Sequence, residues 1–177
     1  MKIIKTSLEG FVAIEPDIFK DDRGFFLETY QEERYKTSGI IDKFEQDNHS
    51  RSHKNVLRGM HFQIKKPQSK IVTIIRGKIF DVVVDLRKES KTFGQWSGVE
   101  LSDHSRVRQV YISSGFAHGF LVLSEFADLH YKISGKYNPA DEGGLVWNDL
   151  DVGIEWPGSN FIVNQRDSEF PKFNQLI

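Results

Sequence analysis

The stretch "KIVTIIRGKIFDVVVDLR", residues 70–87, decides the fold class. Val and Ile are dense on both sides of Arg76-Gly77, and β-branched side chains suit a pleated strand better than a helix. Residues 69–86 read as two strands joined in a hairpin that turns at Arg76-Gly77. The texture recurs in "GFFLETY" (24–30), "RVRQVYIS" (106–113), "HGFLVLS" (118–124) and "ADLHYKIS" (127–134), while "TFGQWSGVELS" (92–102) supplies a further strand. Short strands between Gly, Asn, Asp and Ser punctuation indicate an all-β sandwich or barrel. A short helix is expected in "QEERYKTSG" (31–39), closed by Gly39, and another helical turn in the C-terminal tail.

The 177 residues suit one domain, 1–177, and no linker, repeat or low-complexity tract divides them. Lys plus Arg total 24 against 25 Asp plus Glu, a net charge of −1 with no basic run, so neither nucleic acid nor a membrane surface is an expected partner. The absence of cysteine removes disulfides, thiolate metal sites and cysteine nucleophiles together. "MKIIKTSLEG" lacks the apolar core of a signal peptide, and no run approaches the roughly 20 apolar residues of a membrane span. A cytoplasmic location is therefore expected, which makes the sequon Asn48-His49-Ser50 a chance match.

Working outward, "VLRGMHFQIKKPQSKIV" (56–72) carries Arg58, His61, Gln63 and Lys70 among its apolar residues. Neighbouring strand residues point to opposite faces. By that parity Lys70 shares a face with Val72 and Ile74, His118 with Phe120 and Val122, and Tyr131 with Ala127, Leu129 and Ile133. In a barrel such faces look into the lumen, where the three polar groups could converge. Strict alternation puts Arg58 and His61 on opposite faces, so both reach one cavity only if Gly59 marks a bulge or sharp twist.

Each candidate has an ordinary alternative. His61 suits a general base if a carboxylate fixes its other nitrogen, or it is a core histidine with a satisfied hydrogen bond. His118, among small and aromatic residues, admits close approach of a ligand or needs a single internal partner. Tyr131, protonated at neutral pH, suits a general acid or a core position. Lys70 pairs with an anionic ligand or carboxylate, or snorkels to the rim. Arg23 and Arg58 could grip phosphate, and Gln46, Asn48 and Glu28 could bind sugar hydroxyls, although ion pairs and strand-end amides are common. Metal-holding β-barrels of the cupin type need a histidine pair spaced HxH. Here that spot reads "HFQ", with Gln63 in place of the second histidine, and no catalytic metal is expected. His49 and His53 are four apart in a strand or loop, a spacing that does not bring them together, and His104 and His130 read as surface residues.

Taken in order, "DDRGFFLETY", "QDNHSRS", "LRGMHFQ", "QSKIV", "GKIFDVVVDLRKESKTFGQW", "GFAHGFLVLSE", "YKISGKYNPADEGGLVWND" and "IEWP" closely resemble the dTDP-4-dehydrorhamnose 3,5-epimerase family nearly end to end. The resemblance implies a cupin-like jelly-roll β-barrel with short peripheral helices. It also implies a homodimer without cofactor or metal that acts on a dTDP-linked 4-keto-6-deoxy sugar in L-rhamnose biosynthesis. It places the base on His61, the acid on Tyr131, the carboxylate orienting the base on Asp167, and the groups near the sugar ketone on Lys70 and His118. Nucleotide and sugar contacts fall on Arg23, Glu28, Gln46, Asn48, Arg58, Glu142 and Arg166. Two positions depart from the family pattern: Ser114 stands where a proline is common, and Arg166 where a lysine is frequent. The shared motifs do not separate a double epimerase from an enzyme inverting C3 or C5 alone or acting on another nucleotide-linked 4-keto sugar. A binding module without turnover and a metal-dependent cupin are the remaining classes; retention of His61, Tyr131, Lys70 and Asp167 argues against the first, Gln63 against the second.

Overall fold

The computed structural model describes residues 1–176. Its strands are β1 (Lys2–Lys5), β2 (Phe11–Glu15), β3 (Ile18–Asp21), β4 (Gly24–Leu27), β5 (Phe44–His53), β6 (Leu57–Gln63), β7 (Lys70–Arg76), β8 (Lys78–Asp85), β9 (Trp96–Ser102), β10 (Gln109–Ile112), β11 (Phe116–Val122), β12 (Phe126–Ser134) and β13 (Glu142–Gly144). Two short helices accompany them, α1 (Glu32–Thr37) and α2 (Gln165–Ser168). One sheet runs β1-β2-β10-β7-β12-β5 and the other β13-β6-β11-β8-β9, while β3 and β4 form a separate ribbon. The pairings are antiparallel. The architecture is a cupin-like jelly roll.

Alternation decides which side chains fill the barrel. Val72 and Ile74 of β7 and Leu129 of β12 meet Ile79 and Val83 of β8 and Phe120 and Val122 of β11 in one buried cluster. Burying a side chain of this size contributes about 1.5–3 kcal/mol relative to leaving it exposed. The outer faces are covered as well. Met60, Val82, Val84 and Ala117 pack under Trp156 and Phe173 of the C-terminal segment, and Ile14 and Ile71 pack with Tyr35 of α1.

The helix reading holds. Gln31 caps α1 by accepting from the Arg34 amide, Glu32 and Glu33 occupy the first turn, and Gly39 follows at φ +91°. The tail forms α2 and a 3-10 turn at Phe173–Gln175. The hairpin expected over 69–86 does not form. β7 pairs with β10 and β12, whereas β8 pairs with β11 and β9. Gly77, at φ +90°, carries the chain from one sheet to the other, so the connection is a corner of the barrel.

Candidate active site

The lumen opens at one end into a cavity of about 340 Å³ between the two sheets. β6, β11 and β13 contribute Arg58, His61, His118 and Glu142; β5, β7 and β12 contribute Gln46, Asn48, Lys70 and Tyr131; Arg166 and Tyr137 close the rim. The parity argument placed Lys70, His118 and Tyr131 on apolar faces, and those faces do converge here.

Gly59 resolves the conflict between Arg58 and His61. On the paired strand, His118 sits opposite His61 and Phe120 opposite Arg58, so Gly59 and Met60 together face Gly119 alone. That extra residue is a β-bulge, which reverses the alternation and turns both side chains toward the cavity. Gly59 takes φ +127°, and a Cβ there would come within 2.5 Å of Gly119 Cα, so a glycine is required twice over.

His61 is tied to the C-terminal segment. Its Nε2 lies 2.9 Å from Oδ1 of Asp167, and the Gly59 amide donates to Asp167 Oδ2 at 2.9 Å. An ionised carboxylate only accepts, so Nε2 carries the hydrogen and Nδ1 is left with the free lone pair. Asp167 is completely buried on α2, whose cap Asn164 accepts from the Asp167 amide at 2.7 Å. Burial alone would raise the Asp167 carboxyl, but the hydrogen bonds from His61 and Gly59 outweigh it and hold the group below its ordinary range. Phe170 stacks edge-on against the His61 ring, with centroids 5.6 Å apart.

Across the cavity, burial pushes the Tyr131 phenol up, which keeps it protonated. On Lys70 burial acts in the other direction and lowers the ammonium to about 8, with the charges of Asp81 and Glu142 opposing that drop. His118 is likewise lowered by burial, against the pull of Asp81, whose Oδ2 lies 2.9 Å from His118 Nε2. At the rim Arg166 donates to Glu142 Oε2 at 2.6 Å, and the Tyr137 hydroxyl donates to the same oxygen at 2.7 Å. Gln46 accepts from the Tyr137 amide and donates to Asn48, and the Arg58 guanidinium donates to Ser52 at 3.0 Å.

Arg23 and Glu28 are not brought to this cavity. Arg23 sits at the exposed turn of the β3–β4 ribbon, ion-paired with Asp21, and Glu28 pairs with Arg34 at 3.0 Å. Gln63 is buried, its amide bonded in both directions to the backbone of Asn138, so it braces the loop before β13. His49 and His53 lie on the outer face of β5. Asp81 and Tyr137 escaped the sequence reading. For Asp81 the signal was available: in "KIFDVVVD" it shares a face with Ile79 and Val83. A larger apolar hollow of about 470 Å³ adjoins the cavity and shares Lys70 and Glu142 with it. It includes neither His61 nor Tyr131, so the two candidates for proton transfer are found together only in the smaller space.

Known proteins resemble this chain over nearly its whole length. Residues 5–175 match the family model described as dTDP-4-dehydrorhamnose 3,5-epimerase. The chain is 48% identical to a dTDP-4-dehydrorhamnose 3,5-epimerase from Methanothermobacter thermautotrophicus, covering 94% of this chain and 91% of that one. It is 42% identical to a dTDP-4-dehydrorhamnose 3-epimerase from Streptomyces niveus, covering 96% and 82%. Among solved structures it superposes with TM-score 0.95 on a dTDP-6-deoxy-D-glucose-3,5-epimerase from Legionella pneumophila in complex with dTDP-4-keto-L-rhamnose. That match has 44% identity and covers 99% of this chain and 96% of the other.

Proposed function

We infer the activity from one premise: the chain belongs to the dTDP-4-dehydrorhamnose 3,5-epimerase family. It is an isomerase that converts dTDP-4-dehydro-6-deoxy-D-glucose to dTDP-4-dehydro-L-rhamnose in dTDP-L-rhamnose biosynthesis. The observation that supports a mechanism is the placement of the His61–Asp167 pair on one wall and Tyr131 on the other.

C3 and C5 flank the C4 ketone, so loss of either proton leaves an enolate whose charge rests on the ketone oxygen. In the proposed step His61 Nδ1 takes the proton from one face while Asp167 stabilises the imidazolium. The Lys70 ammonium holds the oxyanion, with His118 beside it, and Tyr131 returns a proton to the opposite face. Removal on one side and return on the other inverts the carbon; His61 then gives its proton to solvent and Tyr131 regains one from it, and the same sequence at the second carbon completes the reaction. The chemistry is redox-neutral. Arg58, Gln46, Asn48, Glu142 and Arg166 are assigned to the nucleotide and sugar.

Arg23 and Glu28 serve in this scheme only if a second chain brings them. Their ribbon carries Phe19, Phe25 and Phe26 at 63%, 59% and 68% exposure, an apolar surface suited to burial against another copy. The proposed working unit is therefore a homodimer of one-domain chains in the cytoplasm. Among the described residues no helix is long and apolar enough to cross a membrane.

Incubation with the 4-keto substrate in D2O tests the double inversion: deuterium at both C3 and C5 is expected. Label at C3 alone would move the protein to the 3-epimerase type, and binding without any exchange would leave only a sugar-nucleotide receptor.

A further inference from the structure

Asp81 sits in the middle of β8, turned into the lumen between Ile79 and Val83, and is completely buried. β8 already pairs by its backbone with β11 and β9, so the sheet does not need a carboxylate there. An apolar side chain would continue the core at lower desolvation cost. One carboxylate oxygen holds His118 Nε2; the other, Oδ1, is buried with no hydrogen-bond partner among the described residues. A buried, half-satisfied carboxylate opposes folding unless another charge balances it.

Lys70 lines the same cavity as His118, and the charge of Asp81 acts on its ammonium. Carboxylates reach this part of the lumen from two other directions besides β8, and both are engaged elsewhere. Glu142 of β13 is shared by Arg166 and Tyr137, and Asp167 of α2 is held by His61 of β6. The remaining groups there, His118 of β11 and Tyr131 of β12, supply no negative charge against the ammonium. Of the carboxylates whose charge acts on Lys70, Asp81 is thus the one not shared with Arg166 and Tyr137.

We propose that Asp81 is a positioning residue for the enolate-binding wall, fixing the His118 ring through Oδ2 and placing its remaining negative charge beside the Lys70 ammonium. This rests on the epimerase reading. Burial already lowers Lys70 to about 8, so loss of the Asp81 charge would leave much of it neutral at working pH.

The test replaces Asp81 by Asn and, separately, by Ser, with circular dichroism to verify folding. Expected for either variant is a fall in kcat of about 10–100-fold with KM changed less than about threefold. The alkaline limb of kcat/KM should move down by about one pH unit, the range by which a nearby opposite charge displaces a titration. In a K70M background the same replacement should cost clearly less than it does alone, because the part of its effect that runs through Lys70 is already gone. An unmoved limb, or a full additional loss in K70M, overturns the proposal. Failure of both variants to fold also overturns it, since Asp81 would then be a structural residue. If the unmodified protein exchanges no deuterium at C3 or C5, the epimerase reading itself has failed, independently of Asp81.

Discussion

Nε2 of His61 and Oδ1 of Asp167 stand 2.9 Å apart although 106 positions separate them in the chain. The proposed base is on a barrel strand, and the carboxylate bonded to it arrives on a four-residue helix from the C-terminal segment. Asp167→Asn should leave the barrel intact, because the helix is capped by Asn164 and not by the Asp167 side chain. An amide can present its NH2 to Nε2 and reverse the tautomer, so kcat should fall by about 10²–10⁴ with substrate affinity little changed. Steady-state rates combined with a binding isotherm measure both quantities; an unaltered kcat would remove Asp167 from the mechanism.

In the proposed mechanism Lys70 sets the alkaline side of the reaction. Its ammonium is needed in the charged form to hold the enolate oxygen, and burial lowers it to about 8. kcat/KM should therefore decline as pH rises above that value. Lys70→Met should reduce kcat by about 10²–10³ and abolish the decline assigned to Lys70. A profile that stays flat well above pH 8 in the unmodified enzyme would contradict the role.

Gly59 links fold and site through one backbone conformation. Ala there must adopt φ +127° and meet the backbone of the neighbouring strand at Gly119. Gly59→Ala should cost about 1–3 kcal/mol in chemical denaturation. It should also lower activity, because the bulge aims His61 and the Gly59 amide holds Asp167 Oδ2. A stable G59A with full activity would show that the bulge does not position the base.

Parity made much of this legible from the residues alone. Lys70, His118 and Tyr131 could be placed on one lumen because each interrupts an apolar strand face, and the need for a bulge at Gly59 followed from the mismatch of Arg58 with His61. The two strands around Gly77 illustrate the limit. Side-chain alternation reports which face is buried and says nothing about which strand is the neighbour, so a barrel corner and a hairpin look alike in sequence. Asp81 was overlooked because a carboxylate within an otherwise apolar run reads as one more strand-edge charge until its parity is taken as seriously as that of Lys70. Tyr137 sits in a loop, where no periodicity applies. Arg23 and Glu28 follow from family motifs that say nothing about which chain delivers them.

The exposed ribbon gives a test of assembly. Phe26→Asp places a charge in the apolar surface formed with Phe19, whose ring lies 6.5 Å away, yet touches nothing in the catalytic cavity. The unmodified protein should sediment as a dimer and F26D as a monomer, with KM for the nucleotide sugar raised by at least about tenfold through loss of Arg23 and Glu28 from the neighbouring chain. A fully active monomer would end the argument for a shared site.

Acid stability turns on Asp85, which lies at the end of β8 and does not line the catalytic cavity. It is completely buried and accepts from the Arg87 guanidinium at 2.8 Å, from the Arg87 amide at 3.0 Å and from the hydroxyls of Ser90 and Thr92 at 2.7 Å each. Burial works to raise this carboxyl, but the Arg87, Ser90 and Thr92 hydrogen bonds dominate and hold it far below the ordinary carboxylate range. A folded-state value below the unfolded one means that the folded protein holds its proton less tightly. The stabilisation is then fully present above the unfolded value, roughly 3.9, and is lost as pH falls from there toward the folded value. Asp85→Ala leaves the Arg87 charge without its carboxylate and should cost about 3–5 kcal/mol at neutral pH. The difference in urea midpoint between the two proteins should narrow as pH drops below about 4, because acid removes from the unmodified protein what the substitution has already taken away. A gap that stays constant from pH 7 to pH 3 would mean that packing around Asp85, and not its ionised form, supplies the stability.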